Sequence, residues 1–182
     1  MFNLSTQEVV LSIENAPLVN LDGIYFQEYQ NFFGNNFIFP DISQSEFSKL
    51  EMQEDFPRRV LSVDDISKKK LQIFFMNNQI TSSLSDKFQL DLKFCSLDVW
   101  QDFSGYYIPP HTDNKRIKLS LQIYIGESDV GTSLFDSKDH RIKTFEFTNN
   151  SGYALLNNKI SRHGPSGHVN NGIRTSIYVR YQ

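Results

Sequence analysis

Two stretches of strict alternation constrain this chain more than any other feature of its sequence. In 117–125 (IKLSLQIYI), Ile117, Leu119, Leu121, Ile123 and Ile125 form one face, and Ser120, Gln122 and Tyr124 form the other. In 173–181, Ile173, Thr175, Ile177 and Val179 oppose Arg174, Ser176 and Tyr178. A period of two is the pattern of a β-strand with two different faces. Further short strands are expected in the same half, over 90–100, 144–147 and 153–156, with a turn at 126–131. Near-regular short strands of this kind predict an antiparallel sandwich or barrel. Aromatic residues, 14% of the 182, suit such sheets and their cores.

The first half reads differently. The clearest helix is expected over 64–85, with Asp64 and Asp65 at its first turn. Ile66, Leu71, Phe74 and Leu84 are expected to pack on the apolar backs of the two strands, and Lys68-Lys69-Lys70 to lie on the solvated side. Residues 8–15 read as a strand, 22–33 as a short helix or strand, 34–57 mostly as loop, and 60–63 as a short strand. Nothing resembles a flexible linker or a repeat, so residues 1–182 are expected to form a single domain. Within it, 1–90 is a helical and strand support region and 91–182 the core.

Composition excludes several classes. A formal net charge of -3 argues against nucleic-acid binding by charge alone. One cysteine, Cys95, rules out a disulfide framework or a cysteine-rich zinc site, and reads as a buried strand residue. No apolar run approaches the ~20 residues of a membrane span, and the N-terminus lacks a secretory pattern. A cytoplasmic protein without nucleic-acid or membrane partners is expected.

Chemistry concentrates in the last 80 residues. His111 and Asp113, two apart, point to one side of an extended segment and can offer an imidazole nitrogen and a carboxylate oxygen to one metal. His163 and His168 are both available as a distant third ligand, His140 being read as a solvated turn residue. Two His and one carboxylate on one face of an octahedral metal suit non-heme Fe(II). Arg174 and Ser176 share a strand face, and an Arg fork beside a hydroxyl is a carboxylate receptor. Trp100 reads as core, while Tyr106 and Tyr107 suit either a cleft or packing.

Five pieces occur in the order of one known family: 105–113 (GYYIPPHTD), 119–125 (LSLQIYI), 131–135 (GTSLF), 163–165 (HGP) and 172–178 (GIRTSIY). Over about 100–182 the chain resembles the iron(II)/2-oxoglutarate-dependent dioxygenases, especially small prolyl-hydroxylase-like members. The resemblance implies an all-β core with flanking helices, a double-stranded β-helix (cupin-like jelly roll) with N-terminal helical support. It implies that His111, Asp113 and His163 hold Fe(II), and that Arg174, assisted by Ser176 and Tyr124, binds the distal carboxylate of the co-substrate 2-oxoglutarate. It also implies an O2-consuming oxygenase that releases succinate and CO2 while hydroxylating an amino-acid side chain, a peptide or a small metabolite. Asp113 favours hydroxylation, because halogenating members lack that carboxylate. Two other classes stand beside this one: a cupin-like metal enzyme that does not use 2-oxoglutarate, and a non-catalytic jelly-roll binding module.

Overall fold

The computed structural model describes residues 3–49 and 57–182. The chain opens with α1 (Thr6–Asn15), β1 (Val19–Leu21), β2 (Ile24–Tyr29), β3 (Phe47–Lys49) and β4 (Arg58–Leu61). Two helices follow, α2 (Ile66–Phe75) and α3 (Asn78–Phe88). The rest is β5 (Phe94–Asp102), β6 (Leu119–Ile125), β7 (Thr132–Phe135), β8 (Arg141–Phe145), β9 (Gly152–Leu156), β10 (Arg162–Pro165) and β11 (Arg174–Tyr181). Eight strands form one antiparallel sheet in the order β1-β2-β9-β6-β11-β5-β4-β3, and β10-β7-β8 form a second. The two sheets face each other as a double-stranded β-helix, as expected. The segment before residue 91 supplies both outer edges of the large sheet as well as the helices.

The alternating faces of β6 and β11 have different partners. Leu119, Leu121, Ile123, Ile177 and Val179 join Val9 and Ile13 of α1, Leu71 and Phe75 of α2, and Ile80, Leu84 and Phe88 of α3 in one buried apolar cluster. The opposite face is also buried. Ser120, Gln122, Tyr124, Arg174, Ser176 and Tyr178 are all 5% exposed or less and face the small sheet. A second cluster, including Tyr124, Leu134, Phe145, Tyr153 and Leu155, fills part of the space between the sheets. Close approach is enforced by glycine at two points: a Cβ on Gly152 or Gly131 would stand 2.0 Å from the carbonyl oxygen of Gln122 or Phe145.

Several expectations change. Residues 8–15 belong to a helix, not a strand. Ser5 caps it by accepting a hydrogen bond from the Glu8 amide at 3.3 Å, and the Ser-x-x-Glu spacing of a capping box was the sequence signal for it. The 64–85 helix is two helices, broken at Met76 and Asn77, with Asn77 capping α3. Leu71 and Phe75 lie one turn apart, as do Ile80 and Leu84, but five residues separate Phe75 from Ile80. At 100° per residue that step is about 140° out of phase, so one straight helix cannot bury both pairs. Ile66 is 67% exposed rather than packed, and Phe74 is half-buried. Lys68 is not on the solvated face: it is buried, and its ammonium donates to the Leu61 carbonyl and to Asp98. Cys95 is exposed. The segment 22–33 resolves as strand β2, and part of 34–57 falls outside the described residues. No described helix is long and apolar enough to cross a membrane.

Phe75 is fully buried against Phe32 and Phe33, so Phe75→Ala should cost roughly 3–5 kcal/mol in denaturant unfolding. Phe74→Ala should cost less, and Ile66→Ala should stay within about 0.5 kcal/mol. Equal losses at all three positions would contradict this packing.

Candidate metal centre and adjoining cavity

His163 sits on β10, and His111 pairs with it in an isolated antiparallel bridge. The backbones exchange hydrogen bonds, His111 N–H to His163 O at 3.0 Å and His163 N–H to His111 O at 2.8 Å. Arg162 helps hold the two segments together by donating to the Pro110 carbonyl at 2.8 Å. Asp113 follows two residues after His111. One ligand atom from each of His111, Asp113 and His163 lies within 4.8 Å of the others.

The proton positions suit a cation. Nδ1 of His111 lies 3.0 Å from the Pro109 carbonyl oxygen, and Nδ1 of His163 lies 3.0 Å from that of Ser161. A carbonyl only accepts, so each Nδ1 carries a proton, which leaves Nε2 as the position for a lone pair. Burial, more than any neighbour, holds His163 below the ordinary histidine value and therefore neutral. Asp113 Oδ2 accepts from Ser120 and, at 2.6 Å, from the Tyr178 hydroxyl. Asp113 Oδ1 lies 3.8 Å from His163 Nε2. One carboxylate oxygen is thus tethered while the other faces the histidines. Burial pushes the Asp113 carboxyl up, but His163, the two hydroxyls and His111 outweigh it and the net lies below the usual value. Burial pushes Tyr178 far up, so it remains a donor. Among the described residues, the donor set and its supporting hydrogen bonds fit a divalent metal.

A cavity of about 130 Å³ runs from this cluster between the sheets to Arg174. Arg174 is 2% exposed. Its Nε donates to the Val130 carbonyl at 2.9 Å, Nη1 to Asp102 at 2.7 Å and Nη2 to Thr132 Oγ1 at 2.9 Å. Burial is the largest influence and opposes its charge, but Asp102, Tyr124 and Tyr106 together outweigh it and the net shift is upward. Asp102, fully buried, also accepts two hydrogen bonds from Arg58, whose guanidinium lies between the rings of Trp100 and Tyr106 at 4.1 and 4.2 Å. Thr132 in turn donates to Gln122 Oε1 at 3.2 Å, as Tyr153 does at 2.8 Å.

His111, Asp113, His163 and Arg174 therefore share one cavity. Tyr124 and Ser176 stand behind its wall. The Ser176 hydroxyl accepts from Gln122 at 3.0 Å. Tyr124 lies with its ring 5.6 Å from the Arg174 guanidinium, and burial pushes its hydroxyl up to about 12. Tyr153, Thr132 and Gln122 line the cavity instead. Trp100 also lines it, stacked on Tyr178 at 4.7 Å, and is not core. His168 is exposed, stacks on exposed Tyr107 and lies outside the metal-ligand group. His140 is exposed, as expected, beside Asp136. Sequence reasoning missed Arg58 and Asp102. Asp102 belongs to the same alternating set as Asp98 and Trp100, but only its pairing with Arg174 gives it meaning.

No protein-family model and no curated protein matches the chain. Solved structures do. An oxidoreductase of the 2OG-Fe(II) oxygenase family from Burkholderia pseudomallei is similar over 97% of this chain and 76% of its own, with a TM-score of 0.54 and 12% identity. The fold is that of the 2-oxoglutarate/iron(II) oxygenases. A prolyl 4-hydroxylase structure from Phytophthora capsici aligns over all of this chain and 66% of its own, with a TM-score of 0.61 and 14% identity. AviO1 from Streptomyces viridochromogenes aligns over all of this chain and 96% of its own, at 0.51 and 8%.

Isothermal titration with Mn(II) should give one site. His163→Ala should abolish it, while His168→Ala should leave it intact. Tyr178→Phe should weaken it roughly tenfold, the loss expected when a hydrogen bond to a ligating carboxylate is removed. Loss of the site in His168→Ala would overturn the ligand assignment.

Proposed function

We propose that the protein is an Fe(II)- and 2-oxoglutarate-dependent oxygenase that hydroxylates an amino-acid side chain, a peptide or a small metabolite. The observation that carries the reading is the shared cavity: a two-histidine, one-carboxylate cluster at one end and a buried arginine at the other. Iron(II) with 2-oxoglutarate and O2 supplies oxidation of a C–H bond, one oxygen atom entering the substrate as hydroxyl and the other entering succinate as CO2 leaves.

The chain's share is positioning and charge. His111 and His163 present Nε2 to the metal because backbone carbonyls hold their other nitrogens. Tyr178 and Ser120 hold Asp113 in a fixed orientation. Arg174 offers the co-substrate a buried cation. Its Nε, Nη1 and Nη2 are oriented by Val130, Asp102 and Thr132, and the guanidinium lines the cavity. The rings of Trp100, Tyr106, Tyr153 and Tyr178 exclude water from the space between.

Asp102 bears on the co-substrate. A carboxylate 2.7 Å from Arg174 would repel a second carboxylate if it stood alone. Arg58 changes the balance: two guanidinium groups share one carboxylate, and the trio carries a net charge of about +1, enough to receive an anion. The engagement of Arg174 by Asp102 also supports a second reading, a cupin-like metal enzyme in which Arg174 is structural and 2-oxoglutarate is not used. Succinate production separates the two. With Fe(II), ascorbate and O2, 2-oxoglutarate should be converted slowly to succinate without substrate and faster with it. Strict absence of turnover and of 2-oxoglutarate binding would favour the second reading.

Trp100 is the single tryptophan, so its fluorescence reports binding in the cavity. Arg174→Ala should weaken 2-oxoglutarate roughly 30-fold or more, corresponding to about 2 kcal/mol for a charge-assisted contact. Arg58→Gln should weaken it about tenfold by leaving Asp102 to Arg174 alone. The double variant Arg58→Gln/Asp102→Asn should return to within about threefold of the parent. A double variant no better than Arg58→Gln would show that charge balance is not the cause.

A further inference from the structure

The cavity wall holds a second cluster of two cations sharing one carboxylate. Asp98 Oδ1 accepts from Lys68 Nζ at 2.9 Å, and its Oδ2 is paired with Arg180. Lys68, on α2, has its side chain 3% exposed and spends its charge on Asp98 and the Leu61 carbonyl. With Asp98 also answered by buried Lys68, Arg180 carries the excess positive charge of the trio on the cavity side. Among the described residues, its one side-chain hydrogen bond is to Asp98. Its Nε is buried and has no partner among the described residues. The side chain is nonetheless 28% exposed and lines the cavity, so the Nη–H groups not held by Asp98 are open to a bound acceptor.

Arg180 is also placed near the chemistry. It lies two residues beyond Tyr178 on the same face of β11, with its guanidinium 5.6 Å from the Tyr178 ring. Tyr178 in turn holds Asp113. Trp100, stacked on Tyr178 with an interplanar angle of 22°, lines the same wall.

Resting on the oxygenase reading for the name of the ligand, we infer that the primary substrate carries an anionic oxygen group, carboxylate or phosphate, that is received by Arg180. The charge count supports this. 2-Oxoglutarate has two carboxylates, one for Arg174 and one for the metal, so none is left for the Lys68–Asp98–Arg180 cluster. The fork geometry and spare N–H groups of Arg180 suit a planar carboxylate or a phosphate. The Trp100–Tyr178 wall then takes the apolar body of the same molecule.

The test is a matched panel: carboxylic acids against their methyl esters, and phosphate monoesters against their parent alcohols. Each is titrated by Trp100 fluorescence with Mn(II) and 2-oxoglutarate present, and assayed for stimulated succinate release with Fe(II). Acids or phosphates should bind at least tenfold tighter than their neutral partners, and the two arms say which anion is taken. Arg180→Gln should erase that preference and Arg180→Lys should retain part of it. The 2-oxoglutarate titration of both variants should shift by less than threefold, a control for folding of the cavity. Neutral members binding as tightly as anions, an undiminished preference in Arg180→Gln, or no anion bound at millimolar concentration while 2-oxoglutarate binds would each overturn the inference. If anions bind through Arg180 but no succinate forms under any condition, the inference stands and the oxygenase reading fails.

Discussion

A central strand that is buried on both sides, yet polar on one of them, governs this structure. β11 pairs with β5 on one side and β6 on the other, and every residue from Arg174 to Val179 is buried. Its apolar face meets three helices and needs only volume to be filled. Its other face brings Arg174, Ser176 and Tyr178 into a space shut off from bulk water, where each polar group must find a partner. The arrangement of partners follows from that demand. Arg174 draws in Asp102, Thr132 and the Val130 carbonyl, Ser176 draws in Gln122, and Tyr178 shares Oδ2 of Asp113 with Ser120.

Satisfying buried charge in this way leaves an imbalance with direction. Each of the two carboxylates on β5 is shared by two cations, and in each trio a guanidinium faces the cavity. A low-dielectric wall with unspent positive charge attracts anions more strongly than the same residues would in water. The cavity therefore presents positive charge at Arg174 and at Arg180, beside a cluster fit for a divalent cation.

The metal-ligand segment shows how backbone and side chains cooperate. The antiparallel bridge between His111 and His163 sets the two rings with centroids 4.8 Å apart. The same segments supply the carbonyls that hold each Nδ1. The tautomer needed to bind a cation is thereby set by main-chain geometry.

What the sequence determined by itself was local and periodic. Alternation in 117–125 and 173–181 prescribed two strands with unlike faces, and His-x-Asp prescribed two donors on one side of an extended segment, because a period of two is a property of the backbone alone. Five ordered motifs carried the fold family. Helix phase was less legible: Ile66 to Leu84 passes for one amphipathic stretch until the five-residue step from Phe75 to Ile80 must be buried against a real sheet. Only the tertiary structure decided that Lys68 is a buried partner of Asp98, that Trp100 lines the cavity, and that Arg58 reaches Asp102 across 44 residues of chain. The Arg58 contact joins β4 to β5, which are distant in sequence and adjacent in the sheet, and the Lys68 contact reaches β5 from α2. A residue's charge is written in the sequence, but which opposite charge it meets depends on strand order, and no local pattern encodes that.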